Sequence, residues 1–196
     1  VYVTISDGTN TGSMVQYTIS VTDKSEFTIG ATTDSNTASN TVSEGASDNA
    51  EVGITATATD DDDGDSVTYT MQTTTASCDG WFDIGSSDGI VRVDGTSELD
   101  YETVTACVIS VTSTSTDTST STEDFTITLT DVNEHAVTSP TDTDTDENTL
   151  AENVANGASA EITASASDSD GTDNAVTYGI ASQTCTGAFT IAGSTG

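Results

Sequence analysis

The chain has 196 residues, and 33 acidic side chains against two basic ones give it a formal net charge of −31 at pH 7. This balance excludes nucleic acids and anionic membrane surfaces as partners, because no basic patch exists to meet phosphate groups. Hydrophobic residues make up only 33% of the chain, so disorder is the simplest alternative to a folded protein. Val and Ile nevertheless recur in short alternating runs, a pattern that favours half-buried strands.

The chain begins with two alternating apolar runs that are separated by a Gly/Asn turn and end at Asp23, which predicts a β-hairpin. A run with the same ending reaches Asp131, 108 positions later (131 − 23). Five further pairs lie 107 to 109 positions apart: Glu44 and Glu152, Asp60 and Asp168, Tyr69 and Tyr178, Cys78 and Cys185, and Phe82 and Phe189. The sequence therefore predicts an internal repeat.

The repeat divides the chain into three predicted segments. Residues 1–24 are expected to hold the C-terminal strands of a first repeat, 25–131 a complete repeat, and 132–196 the N-terminal part of a third. With no starting Met and no apolar run long enough to cross a membrane, the chain is interpreted as a window from a longer or processed protein, without membrane insertion.

Within the complete repeat the apolar runs predict seven strands: an irregular one before Glu44, then 52–59, 67–72, 81–84, 90–93, 106–112 and 124–130. Seven short strands in about a hundred residues, with turn signals between them, favour an antiparallel β-sandwich. The predicted core consists of Ala56, Ala58, Val67, Tyr69, Phe82, Ile84, Ile90, Val111, Ile127 and Leu129.

Carboxylates are concentrated on three turns: the run 60–63, the pair Asp100 and Glu102, and the turn 131–134. In a chain with almost no basic residues these groups would repel one another unless a cation lay between them. Oxygen ligands favour a hard divalent cation, calcium first, and no cluster of His and Cys suggests zinc.

The order of the acidic motifs resembles that of cadherin repeats. The matching residues are Glu44 near the end of the first strand, Asp60 and Asp62 after the second, Asp100 and Glu102 in a Leu-Asp-x-Glu motif, and Asp131, Asn133 and Glu134 at the exit. The resemblance implies an all-β fold of tandem seven-stranded antiparallel Greek-key β-sandwiches, one complete repeat flanked by two partial ones. It also implies calcium ions (Ca²⁺) between consecutive repeats.

The resemblance assigns ligands to each junction. At the second junction, between the second and third repeats, they are Glu44, Asp100, Glu102, Asp131, Asn133, Glu134, Asp168, Asp170 and the backbone carbonyl of Asn174. At the first junction they are Asp23, Glu26, Asp60 and Asp62, and Asp7 would serve a junction upstream.

The first junction departs from the family pattern. Ser115 occupies the position where an aspartate is expected at the end of the sixth strand, and the exit turn carries Lys24 and Ser25. Fewer anionic ligands and an added cation weaken calcium binding. We expect this junction to bind fewer ions, or to bind them more loosely, than the second.

Cysteine positions predict one disulfide. If the third and sixth strands are neighbours in a sheet, Cys78 lies beside Cys107. The oxidising surroundings of a surface protein would then favour a disulfide between them. Two buried free thiols are the alternative. Cys185 is expected to be unpaired in this chain.

Other candidate sites have simpler interpretations. The acidic run 142–147 lacks the glycine of an EF-hand loop, because Glu147 stands there, and it is interpreted as an exposed linker. His135 is interpreted as a linker residue, and Trp81 as a core aromatic in preference to a sugar-stacking platform. No carboxylate is paired with a plausible acid, base or nucleophile, so an enzyme is not expected.

The favoured function is a calcium-dependent structural or adhesive stalk, extracellular or at a cell surface, as in the adhesins of microbes. Its partners would be neighbouring repeats of the same chain or like subunits. Two alternatives remain open: a subunit of a filament assembled head-to-tail by strand complementation, and a module that binds a surface glycan or protein.

Overall fold

The computed structural model describes residues 1–22, 24–95 and 98–196. The strands in these residues are β1 (Tyr2–Val3), β2 (Val15–Gln16), β3 (Thr33–Asp34), β4 (Thr41–Ser43), β5 (Glu51–Thr57), β6 (Val67–Thr73), β7 (Phe82–Ile84), β8 (Ile90–Val93), β9 (Ala106–Ser115), β10 (Thr120–Thr130), β11 (Thr141–Asp142) and β12 (Ala164–Ser165). Among these residues, no helix has the length and apolar character needed to cross a membrane.

Two four-stranded sheets form the sandwich of the central segment. One sheet has the order β3-β5-β8-β7 and the other β4-β10-β9-β6. The chain crosses between the sheets at each step from β3 to β7 and again from β8 to β9, whereas β7–β8 and β9–β10 are antiparallel neighbours within one sheet. Successive side chains of a strand point to opposite faces. In β9 this alternation directs Cys107, Ile109 and Val111 into the core, where they are fully buried.

The first strand of the sandwich is divided between the two sheets, which corrects the prediction of seven antiparallel strands. Strand β3 pairs antiparallel with β5, whereas β4 pairs parallel with β10, giving eight strands between residues 25 and 131 of the described chain. The side chain of Asp34 causes the break, because its Oδ1 accepts hydrogen bonds from the backbone N–H groups of Asn36 (2.9 Å) and Thr55 (3.0 Å). Such an Asx turn redirects the backbone away from the sheet.

Most of the predicted core residues are buried, but the prediction chose the wrong face of β8. Six predicted residues are buried: Ala56, Tyr69, Phe82, Val111, Ile127 and Leu129. Val67 and Ile84 pack against this core while partly buried. Ile90 was expected to point inward, but Val91 and Val93 are the buried residues of β8, and Ile90 and Ala58 are only half-buried.

A disulfide joins Cys78, at the end of the 3₁₀ turn Ala76–Cys78, to Cys107 of β9. The Cα atoms are 6.0 Å apart and both residues are fully buried. Cys185 is free and exposed. Trp81 belongs to the same core and is only 6% exposed, so its ring offers no open face for sugar stacking.

The flanking segments repeat the register of the sandwich. The hairpin pair Tyr2 and Gln16 lies 108 positions before the pair Ser110 and Asp124 of β9 and β10. Likewise, Thr141 pairs with Ser165 in β11 and β12 as Thr33 pairs with Thr57 in β3 and β5, again 108 positions away. The internal repeat predicted from spacing is therefore present in the strand pairing.

Candidate metal site

Asp170 lies at the centre of the second junction and is only 2% exposed. Its Oδ1 accepts hydrogen bonds from the backbone N–H groups of Glu134 and His135, both at 3.0 Å. The hydrogen bond from His135 is the main cause that lowers the pKa of the Asp170 carboxyl, so this group is ionised. Its Oδ2 is buried and has no hydrogen-bond partner among the residues that the structure describes.

Asp131 contributes a second such oxygen, at the exit of β10. Its Oδ2 accepts hydrogen bonds from the backbone N–H (2.9 Å) and the hydroxyl of Thr172. Its Oδ1 is buried, and no described residue forms a hydrogen bond with it. Two ionisable side chains, from segments before and after residue 132, thus each present an unsatisfied oxygen at this junction.

Glu44 and Glu102 connect the sandwich to the segment that follows. Glu44 is 8% exposed, and its two carboxylate oxygens accept the backbone N–H groups of Val132 (2.6 Å) and Tyr101 (2.5 Å). Glu102 Oε1 accepts the backbone N–H of Gly171 (2.7 Å). These hydrogen bonds hold the carboxylates in place without any basic side chain.

The structure brings five of the predicted ligands together. In three overlapping groups, one ligand atom of each member lies within 4.8 Å of those of the others: Glu44, Glu102 and Asp131; Asp131, Glu134 and Asp170; and Glu102, Glu134 and His135. Burial, followed by the charges of Glu44 and Glu102, raises the pKa of Glu134. Like charges this close favour a bound cation.

Four other predicted ligands of this junction lie outside these groups. Asp100 accepts hydrogen bonds from the hydroxyl (2.7 Å) and backbone N–H (2.8 Å) of Thr103, and the hydroxyl is the main cause that lowers its pKa. Asp168 accepts the backbone N–H of Asp170 at 3.3 Å. Asn133 and Asn174 are exposed.

The first junction repeats part of this arrangement. Asp62 accepts hydrogen bonds from the backbone N–H groups of Glu26 (3.1 Å) and Phe27 (3.0 Å). Asp170, 108 positions later, accepts the equivalent hydrogen bonds from Glu134 and His135. Asp60 accepts the backbone N–H of Asp62 (3.2 Å), and its Oδ2 is buried without a hydrogen-bond partner in the described part of the chain. Asp23, also predicted here, lies outside the described residues.

Asp7, predicted to serve an upstream junction, is exposed on the first hairpin. Its Oδ1 accepts the backbone N–H groups of Thr9 (2.9 Å) and Asn10 (2.6 Å). The bond from Asn10 is the main cause that lowers the pKa of this carboxyl. The side chain thus closes a turn in the structure.

Asp117 is a member of the first-junction group that the sequence prediction missed. One oxygen each of Asp60, Asp62, Asp65 and Asp117 lies within 4.8 Å of the others. Asp117 lies between β9 and β10, two positions after Ser115, and accepts the hydroxyl (2.7 Å) and backbone N–H (2.8 Å) of Ser119. Asp117 therefore places a carboxylate near the position where the resemblance expected one at Ser115. The aspartate in the turn after β9 was the signal in the sequence that pointed to it.

Asp144 and Asp146, from the run 142–147 that was interpreted as an exposed linker, form a further acidic group with Glu161. Asp142 at its edge accepts the backbone N–H groups of Thr163 (2.9 Å) and Asp144 (3.1 Å), so it closes a turn as Asp34 does in the sandwich.

Comparison with known proteins gives matches in structure alone. The sequence matches no protein-family model, and no curated protein matches it. A protocadherin gammaB7 EC3-6 cis-dimer structure has a TM-score of 0.65 at 17% identity, covering 94% of this chain and 45% of that chain. Mouse cadherin-23 EC22-24 has a TM-score of 0.60 at 17% identity, covering 89% of this chain and 54% of that chain.

Drosophila N-cadherin EC1-4 is also similar, with a TM-score of 0.51 at 24% identity over 70% of this chain and 33% of that chain. The chain thus spans between 33% and 54% of the length of these three structures. The predicted all-β class with tandem sandwiches is confirmed. The chain has the fold of tandem cadherin extracellular domains.

Proposed function

We propose that this chain is a calcium-dependent structural or adhesive module of an extracellular or cell-surface protein. It comprises the end of one cadherin-like repeat (1–24), a complete repeat (25–131) and the start of a third (132–196). The observation that supports the calcium site is the pair of buried oxygens, Asp131 Oδ1 and Asp170 Oδ2, that have no hydrogen-bond partner among the described residues. Their two residues form one compact group with Glu134.

The donor set fits a hard divalent cation. A buried polar atom without a partner costs about 1–3 kcal/mol, and more when charged, so these oxygens favour a ligand. Calcium prefers six to eight oxygen ligands from carboxylates and carbonyls. We assign it to Glu44, Glu102, Asp131, Glu134 and Asp170, and Asp100, Asn133, Asp168 and the Asn174 carbonyl complete the set that the resemblance implies.

The chain's own residues explain why a cation would stiffen the junction. Glu102 is held by the amide of Gly171 and Asp131 by that of Thr172, so these two carboxylates are fixed against the opposite segment. Asp170 is held by the amides of Glu134 and His135, at the start of its own segment. When bound, calcium neutralises these carboxylates. Without it their mutual repulsion opposes the same contacts. Since these carboxylates serve as ligands, we propose no catalytic role.

At the first junction we assign Asp60 and Asp62, together with Asp65 and Asp117, as the ligands that the structure groups. Glu26 and Asp23 belong to the site by the family resemblance only. The weaker affinity expected there no longer rests on Ser115, because Asp117 supplies a carboxylate. It rests on Lys24 and Ser25 in the exit turn, and it stays a prediction.

Calcium is expected to raise the melting temperature and to narrow the distribution of shapes in small-angle X-ray scattering, and EGTA is expected to reverse both. A ligand at a hundred times its dissociation constant stabilises by about 2.7 kcal/mol per site. Asp170→Asn should abolish the part of this gain that the second junction contributes, because an amide is a poorer calcium ligand than a carboxylate.

Asp124→Asn is the matched control, since Asp124 is exposed on β10 and lies outside every acidic group found in the described residues. The calcium-induced shift in melting temperature is measured within each variant, so that an effect of the substitution on stability without calcium does not enter the comparison. A melting temperature and scattering curve that stay the same after EGTA treatment of the unsubstituted chain would rule out the proposal.

Head-to-tail strand complementation is a second candidate, favoured by two exposed apolar faces. Ile19 of the first hairpin is 70% exposed, whereas Ile127, 108 positions later, is fully buried. In the last segment Ile162 is 51% exposed, whereas its counterpart Ile54 is fully buried. The hairpin of one subunit could therefore supply to the last segment of another the two strands that β9 and β10 supply to the central sandwich.

Sedimentation velocity over a range of concentrations tests this candidate. Complementing subunits should form larger species as concentration rises, and Ile19→Asp should prevent it by placing a charge in the shared core. Thr18→Asp is the control, because its counterpart Thr126 points to solvent. A single monomeric species at every concentration would contradict strand complementation. It would favour the alternative in which neighbouring repeats of a longer array cover the two apolar faces.

A further inference from the structure

His135 lies beside two carboxylates at the second junction. One ligand atom each of Glu102, Glu134 and His135 lies within 4.8 Å of the other two. The imidazole Nε2 is 3.9 Å from Glu134 Oε1. The chain contains no other histidine.

The backbone around this group is fixed while the side chains stay accessible. The N–H of His135 is bound to Asp170, and Glu102 accepts the N–H of Gly171. The side chains of His135 and Glu134 are 49% and 44% exposed. An ion could therefore reach the group from solvent without unfolding the junction.

An imidazole changes the type of cation that the group favours. Calcium in proteins takes oxygen ligands, whereas zinc and similar ions bind imidazole nitrogen together with carboxylate oxygen. Glu134 also forms a group with Asp131 and Asp170, and the Oδ2 of Asp170 is buried without a hydrogen-bond partner among the described residues, so the Glu134 carboxylate is common to both groups.

We propose that Glu102, Glu134 and His135 form a second metal position, for Zn²⁺ and similar divalent transition-metal ions, beside the oxygen-only group. The proposal rests on the proposed function in that Glu102 and Glu134 are shared between the two positions. It is restricted to the second junction, because Phe27 occupies the position 108 residues before His135. Zinc would thus act on one junction and leave the other unchanged.

The test titrates Zn²⁺ into the 196-residue chain in saturating calcium, by calorimetry and by NMR of the imidazole. All samples carry Cys185→Ser, because the exposed thiol could bind zinc itself. The single histidine gives one set of imidazole signals, which are expected to shift with one equivalent of zinc. His135→Gln is expected to weaken zinc binding about tenfold or more.

Glu147→Gln serves as the control, since this exposed carboxylate is outside the group and its loss should leave zinc affinity unchanged. Equal zinc affinity in the His135→Gln variant, or no zinc binding by the chain with histidine present, would overturn the proposal. Calcium-induced melting shifts are recorded on the same samples without zinc. Their absence would count against the calcium site, whereas a missing zinc response with calcium shifts intact would count against the second position alone.

Discussion

Ile127→Ala is expected to destabilise the central sandwich by about 2–5 kcal/mol, the range for removing most of a buried aliphatic side chain. Ile127 is fully buried on β10 and belongs to the core that both sheets share. Interiors are close-packed, so the cavity would be filled only in part by relaxation. Urea unfolding followed by circular dichroism measures the loss as a lower midpoint.

Ile19→Ala provides the matched control for this experiment. The same residue type stands at the equivalent hairpin position 108 residues earlier, but 70% of it is exposed. Exposed substitutions usually change stability by within about 0.5 kcal/mol. Equal losses for the two variants would contradict the structure, because they would mean that the first hairpin buries its apolar face in solution.

Removing the disulfide is expected to have an effect of similar size. Cys78 and Cys107 are 29 positions apart, and a cross-link that closes a loop of this length restricts the unfolded chain by about 3–4 kcal/mol. The double variant Cys78→Ala with Cys107→Ala should therefore unfold at a clearly lower urea concentration. Because both sulfur atoms are in the core, alanine adds a small cavity to this loss.

Cys185→Ala is the comparison, since this thiol is exposed and unpaired and its loss should change stability little. Alkylation of the unreduced, unfolded chain followed by mass spectrometry checks the pairing directly. One labelled cysteine is expected. Three labelled cysteines would show that Cys78 and Cys107 are free thiols.

Most strands were predictable because one face of each sheet is buried, and burial forces apolar residues into a period of two. Which residues of β8 face the core could not be predicted in this way. Ile90 and Val91 are adjacent and both apolar, so composition cannot decide which one faces the core. Gly89, with a φ of +66°, turns the chain just before β8, and this local conformation is absent from the hydrophobic pattern.

The residues of the candidate site could be predicted from the sequence, but the positions of their oxygen atoms relative to one another could not. Glu44, Asp131 and Asp170 follow from motif spacing, whereas the orphaned oxygens become visible only once burial and backbone partners are known. Asp117 was missed because it lies two positions after Ser115, the residue that aligns with Asp7. His135 was interpreted as a linker residue because the sequence does not show which side chains lie near it. The structure places its imidazole beside the carboxylates of Glu102 and Glu134.

The parallel pairing of β4 with β10 determines how the sandwich would carry tension. These strands lie near the entry and the exit of the central segment, and three residue pairs, from Thr41 with Thr128 to Ser43 with Thr130, join them. A pull on the two ends of the segment would draw parallel neighbours in opposite directions along their length. Their hydrogen bonds would then be loaded together in shear instead of being opened one after another, which is the arrangement that best resists a pulling force.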